Sequence, residues 1–213
     1  MSKLIIFGAG ALAYEVLDIA RSKCTSVQVV TTDRSSPSKR FLSKLGDLFG
    51  AQASVAELDE HSLNSDTSFF VAINDINVRR SIFNRIESLG VEPCALIHQT
   101  ALIDSSAKVG PGCYVGAYCS LSFDTTLHKG CVVNNHASLG HENQIGEFCN
   151  LGPHSSLTSR IIVENCCSLG AHCFVDRGVN LAAMTTIAPC TPVFRSISAV
   201  ETTWSIPLSK RIR

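Results

Sequence analysis

From Ile97 to Val193 every sixth residue is isoleucine, leucine or valine, 17 positions without a break. Four residues after each of the first 16, the side chain is Ala, Cys, Ser or Thr in 13 cases, the exceptions being Asn143, Ile161 and Val179. An amphipathic helix needs spacings of three and four instead. A strict period of six, with one aliphatic and one small inward position, predicts short strands joined by tight corners and wound as a β-helix. The first 92 residues read differently. Lys3–Ile6 is a short aliphatic strand, followed by Gly8-Ala9-Gly10 and an amphipathic stretch to Ala20. Val27–Val30 and Phe69–Ile73 predict two more strands, and a helix is expected from about Asn77 to Leu89.

Strand, glycine turn and helix start together form a phosphate cradle, because backbone N–H groups and the helix dipole point at an anion. Gly8, Gly10 and Ala11 would line it, and Asp33, just past the second strand, is a candidate ribose or base contact. The layer amounts to about half a dinucleotide fold. Ala13 stands in place of a third glycine. The pattern therefore favours a mononucleotide or nucleotide sugar over NAD, with a purely structural turn as the bland reading.

Charge separates the same two parts. Residues 1–96 hold 10 Lys/Arg and 11 Asp/Glu, whereas residues 97–193 hold only 4 and 6. The whole chain balances 18 basic against 18 acidic side chains. Zero net charge without a basic cluster argues against a nucleic-acid binder. No apolar run reaches the roughly 18–20 residues of a membrane helix. The Leu4–Ala13 segment imitates a signal peptide only until Glu15 and Asp18. Ten cysteines invite a disulfide or zinc reading, but Cys113, Cys119, Cys131, Cys149, Cys167 and Cys173 all fall on the small inward position, where Cys acts as a compact hydrophobe. No C-x-x-C pair exists to start a zinc site. Abundant thiols suit a reducing, cytoplasmic compartment.

The chain resembles the bacterial sugar acyltransferases that include the sialic acid O-acetyltransferases and the N-acetyltransferases of nucleotide-linked amino sugars. Its landmarks are Gly8-Ala9-Gly10, Val71-Ala72-Ile73-Asn74-Asp75 with Arg79, Leu96-Ile97-His98, and Val133-Asn134-Asn135-His136-Ala137-Ser138-Leu139-Gly140-His141-Glu142 followed by Ile145-Gly146. The resemblance implies an α/β Rossmann-like half domain over 1–92, followed over 93–213 by a left-handed, three-sided parallel β-helix of 18-residue coils with a C-terminal tail. It implies a homotrimer, with acetyl-CoA in grooves between adjacent β-helices and a nucleotide sugar on the first domain. In such enzymes His141 would be the general base, oriented by Glu142 or Asn134. Asn74 and Arg79 would join the glycine turn at the nucleotide sugar. Asn150, Gly152, Gly170 and Ala171 would face acetyl-CoA, with a Gly152 or Gly170 N–H as oxyanion donor. No metal is expected.

Coils of 18 residues also place the histidines. Residues 18 apart stack at about 4.8 Å, so His136, His154 and His172 should form a column along one edge. That column reads as an exposed ladder lining a groove, as a guide for CoA or acceptor, or as a metal site. His141, two residues past an inward leucine, should point outward, between Phe123 and Ser159. The expected activity is acetyl transfer from acetyl-CoA to the amine of a nucleotide-linked (UDP, dTDP or GDP) deoxysugar, serving surface polysaccharide or lipopolysaccharide synthesis. Sialic-type O-acetylation, a non-catalytic nucleotide-sensing trimer and an NAD-dependent redox enzyme are the alternatives.

Overall fold

In the computed structural model, which describes residues 3–31, 37–56 and 66–198, the hexads wind as the periodicity requires. Strands β1 (Lys3–Phe7), β2 (Ser26–Val30), β3 (Ala53–Val55), β4 (Thr67–Val71) and β5 (Glu92–Pro93) form one parallel sheet in the order β3-β2-β1-β4-β5. Helices α1 (Ala11–Arg21), α2 (Lys39–Phe49) and α3 (Ile76–Ser88) accompany it. The third helix begins at Ile76 because Asp75 caps it, its carboxylate accepting from the Val78 N–H at 2.9 Å. No element was expected where α2 lies. Ser38 starts that helix by accepting from Phe41 N–H, and Phe41 and Leu45 anchor it to the core.

Seventeen two-residue strands, β6 (Leu96–Ile97) to β22 (Pro192–Val193), then stack into three parallel sheets of six, five and six strands. Each residue pairs with the one 18 positions on, as in Ser120 with Ser138 and Val132 with Asn150. The repeated aliphatic residues from Val115 to Val193 are all buried. Ile97, Ile103 and Val109, in the first coil, are only partly covered because no coil lies below them. Corners turn through left-handed residues such as His136, Glu142, His154 and Arg160, with φ of 62°, 60°, 56° and 57°. That conformation costs a non-glycine residue about 1 kcal/mol or more. It persists because each corner N–H is held by the coil beneath, as when Glu142 N–H donates to Phe123 O at 2.8 Å.

The inward cysteines are free, buried thiols. Each donates to a corner carbonyl, Cys131 to Gly146 O at 3.0 Å and Cys149 to Glu164 O at 3.1 Å among them. Cys166 and Cys167 diverge as a strand requires. Cys167 is buried, while Cys166 meets Arg80 outside at 3.3 Å. Asn143, an exception to the small-residue rule, is fully buried and satisfied. Its amide donates to Gly140 O at 2.9 Å and Thr158 O at 3.2 Å, and its oxygen accepts from Ile161 N–H.

The α/β domain covers one side of the coil, where Leu96, Tyr114 and Val132 join the same apolar cluster as Leu4, Leu12 and Phe70. A second contact packs Phe148 edge-on against Phe83 at 5.2 Å. The next side presents Ser120, Ser138 and Ser156 outward, with Ser120 and Ser138 hydroxyls 3.1 Å apart.

Candidate functional site

His141 lies at the corner that follows β13 (Ser138–Leu139), away from the side covered by the α/β domain. Gly140 permits the tight stacking here, since a Cβ would collide with the Thr158 carbonyl above. Asn143 closes the corner from inside. The imidazole, half exposed, borders an open groove of about 660 Å³ formed with Leu102, Asp104, Ser120, Ser122 and Phe123. Its Nδ1 lies 3.1 Å from Glu142 Oε2. The same oxygen accepts from Arg160 Nε at 2.9 Å. Hydrogen bonds from Arg160 first, then His141, hold the Glu142 carboxyl below its ordinary range. Glu142 is therefore an ionised acceptor near neutral pH. Nδ1 carries the proton that it accepts, and in the neutral imidazole the lone pair then falls on Nε2.

The glycine turn expected to cradle a phosphate lies at the switch point between β1 and β4, where open α/β sheets take their ligands. Gly8 adopts φ 104°, and a Cβ there would meet Ala72 O at 2.9 Å. Gly10 is the N-cap of α1, with nothing within 4 Å of its missing Cβ and no side chain capping the helix. Exposed Ala11 follows. Asn74 sits in the neighbouring turn, also exposed. Asp33 lies outside the described residues.

Arg79 and Asn150 have a different place from the one expected. Arg79 is 1% exposed. Its guanidinium donates to Ile73 O, Asn74 O, Gly130 O, Phe148 O and Asn150 Oδ1, at 2.7, 3.0, 3.1, 3.1 and 2.6 Å. Asn150 in turn donates to Asn74 O at 2.8 Å. Both side chains knit the α/β domain to the coil beneath the Asn74 turn, and all five N–H donors of Arg79 are taken by protein acceptors. Burial lowers the pKa of the guanidinium, and five acceptors offset that cost.

Three further expectations change. The Gly152 and Gly170 N–H groups already donate to Leu169 O and Ile187 O, so neither can receive an oxyanion. The N–H groups of Ala171 and Ser159 have no partner among the described residues; Ser159 belongs to the corner stacked over His141, where Arg160 N–H donates to His141 O at 3.0 Å. Asn134 is not beside His141. It occupies the preceding corner, after β12 (Val132–Val133), and its amide donates to Leu151 O at 3.0 Å.

That preceding corner carries the histidine column. Rings of His136, His154 and His172 stack at 4.6 and 4.8 Å, within 3° of parallel. Tyr118 extends the ladder at 5.1 Å, a residue legible as His136 minus one coil. Among the described residues no group of three His, Cys, Asp or Glu is placed to hold a metal. Spacing also missed the second link between domains. Tyr114, on the covered side, donates to Glu15 of α1 at 2.5 Å. Its hydroxyl lies 3.5 Å from Asn135 Oδ1, which accepts from Ala117 N–H.

Residues 3–86 match the family model of the PglD N-terminal domain. No curated protein matches the chain by sequence. Solved structures do. A histidine mutant of perosamine N-acetyltransferase from Caulobacter crescentus, in complex with CoA and GDP-perosamine, superposes with a TM-score of 0.79 at 23% identity, over 92% of this chain and 90% of that one. The acetyltransferase domain of PglB from Neisseria gonorrhoeae FA1090 gives 0.81 at 21% identity, over 93% and 94%. WeeI from Acinetobacter baumannii AYE gives 0.67 at 17%, over 91% and 94%. The chain therefore has the fold of these proteins, an α/β domain followed by a left-handed parallel β-helix.

Proposed function

We propose that this protein transfers acetyl from acetyl-CoA to the amine of a nucleotide-linked amino sugar. The observation that carries the reading is the His141–Glu142 pair, whose geometry leaves Nε2 as an outward-facing base on a groove. It is supported by the cradle at the α1 N-terminus, and by the CoA and GDP-perosamine bound to a protein of the same fold.

The neutral amine attacks the thioester carbonyl. As the C–N bond forms, Nε2 of His141 takes the amine proton, while Glu142 holds Nδ1–H and stabilises the imidazolium. The Ser159 N–H, above His141 and without a partner among the described residues, is the oxyanion donor in this scheme. Collapse breaks the C–S bond, and the imidazolium returns its proton to the CoA thiolate. The amide product and CoA leave, and no enzyme thiol is acylated.

The cradle belongs to the α/β domain, and His141 to a different side of the coil from the one that domain covers. Helix α1 reaches the covered side through Glu15 and Tyr114, whereas His141 stands beyond the whole serine-faced side. We infer that the amine held by one chain meets His141 of another, in a homotrimer whose acetyl-CoA lies between coils and touches Ala171. Gly8, Gly10, Ala11 and Asn74 hold the nucleotide. The compartment would be the cytoplasm, where both substrates are made, and the product would feed surface polysaccharide assembly.

The test is thiol release from acetyl-CoA with a panel of UDP-, dTDP- and GDP-linked amino sugars, and with free sialic acid. His141→Ala should lower turnover by roughly 10²–10⁴ on the best acceptor. Undiminished turnover removes His141 from the chemistry, and no release with any acceptor overturns the reading.

A further inference from the structure

We propose that Arg160 is a positioning residue for His141, acting through Glu142. The inference rests on the reading of His141 as the base, and extends it to a residue one coil away. Eighteen residues separate Arg160 from Glu142, so the two stack at successive left-handed corners, φ 57° and 60°. Arg160 grips the pair below it twice. Its backbone N–H donates to His141 O at 3.0 Å, and its Nε donates to Glu142 Oε2 at 2.9 Å, the oxygen that also meets His141 Nδ1. A glutamate on an open corner has several rotamers, and only one presents that oxygen to the imidazole. The guanidinium selects it.

Two consequences differ in kind. The first is orientation, which sets the direction of Nε2. The second is charge, because a cation on the shared carboxylate oxygen opposes protonation of the imidazole that the carboxylate favours. The other charges around this corner are Asp104 and Asp124 from the coils below, and Asp176 and Arg177 from the coil above. Asp104 is engaged by Ser106 at 2.7 Å. None of the four hydrogen-bonds to His141 or Glu142 among the described residues.

Arg160→Gln keeps a donor and removes the charge. At about 6 Å through water, a unit charge shifts a titration by roughly 0.5 pH unit. The acid limb of kcat/KM should therefore move up by about that amount, while kcat falls roughly 10-fold. Arg160→Lys, which retains the charge, should restore the limb to its original position. In a His141→Ala background, Arg160→Gln should change kcat by less than about twofold, since the route through the imidazole is gone.

Arg160 is largely exposed, and thermal melts of each variant separate folding from chemistry. A fall in kcat with an unmoved limb makes Arg160 merely structural and overturns the proposal, as does an unchanged kcat. An equal loss in the His141→Ala background does the same. If His141→Ala itself retains full turnover, the broader reading fails instead. For a Gln variant that fails to fold, Arg160→Lys decides, because a lysine that shifts the limb contradicts the role of charge.

Discussion

Replacing Arg79 by Met tests whether the two domains are held by a buried cation. Five acceptors surround the guanidinium, and three of them, Gly130 O, Phe148 O and Asn150 Oδ1, belong to the coil while Ile73 O and Asn74 O belong to the α/β domain. Hydrogen bonds to a charged group contribute about 1.5–3 kcal/mol each. Five taken at face value would rival the entire stability of a domain, about 5–15 kcal/mol. That sum cannot stand, because removing the guanidinium also removes the several kcal/mol needed to take it out of water. What remains for Met is the loss of partners for the buried carbonyls, at about 1–3 kcal/mol each, relieved where Asn74 and Asn150 can reach solvent. The expected net loss is about 3–5 kcal/mol. Arg79→Lys keeps the charge but brings three donors to five acceptors and lacks the planar fork, so about 2–3 kcal/mol should still be lost. Urea unfolding followed by circular dichroism measures both. A loss under about 1 kcal/mol for Met would refute the argument, and would return Arg79 to the pool of possible ligands.

Two glycines separate close stacking from backbone freedom. Gly140→Ala, which drives a methyl into the Thr158 carbonyl, should cost about 2–3 kcal/mol. Gly178, at φ 72° in open space, should accept Asn with a change under about 0.5 kcal/mol. Equal urea midpoints for the two variants would contradict the stacking account. The thiols make stability fall in alkali. Cys131 is raised by burial, Cys149 by its Cys131 neighbour and Cys167 by Cys149, while burial pushes Cys24 up to about 11. A raised thiol keeps its proton in the folded chain and loses it in the unfolded one. The stabilisation is thus complete below about pH 8.5 and declines as pH rises above it. Urea midpoints should be level from pH 7 to 8.5 and drop by pH 10.5, with alkylation reaching exposed Cys190 first. A level midpoint through pH 10.5 would count against it.

Period alone located the coil, its inward cysteines and the outward His141, because each of these depends only on position within six residues. Stacking at 18 residues located the histidine ladder. The same arithmetic would have found Arg160 over Glu142 and Tyr118 under His136. What it could not find were contacts between elements far apart in sequence. Arg79 reaches carbonyls 51 and 69 positions away, and nothing local distinguishes a guanidinium that binds a phosphate from one that binds a neighbouring domain. Glycine N–H groups misled for a related reason. A Gly152 N–H was expected to meet the oxyanion, yet a stacked coil commits it to the Leu169 carbonyl. The helix from Lys39 to Phe49 had its signals, with Ser38 as cap and apolar residues at 41, 45 and 48.

The arrangement also explains how a chain so repetitive can hold the His141 ring in a fixed pose. In each hexad the aliphatic and small positions are taken by the core, and the N–H groups on either side of the strand are taken by the ladder. The second and third corner positions are free to vary, which is why Phe123, His141 and Ser159, and Asp124, Glu142 and Arg160, differ without disturbing the stack. Freedom at those positions would ordinarily mean a mobile side chain. Here Asn143 clasps the corner from inside and Arg160 clasps it from above, so the His141 imidazole is held by residues from its own coil and the next. A base built this way has its direction set by coil stacking. A variant that loosens the stack near Gly140 should therefore lose turnover before it loses substrate affinity.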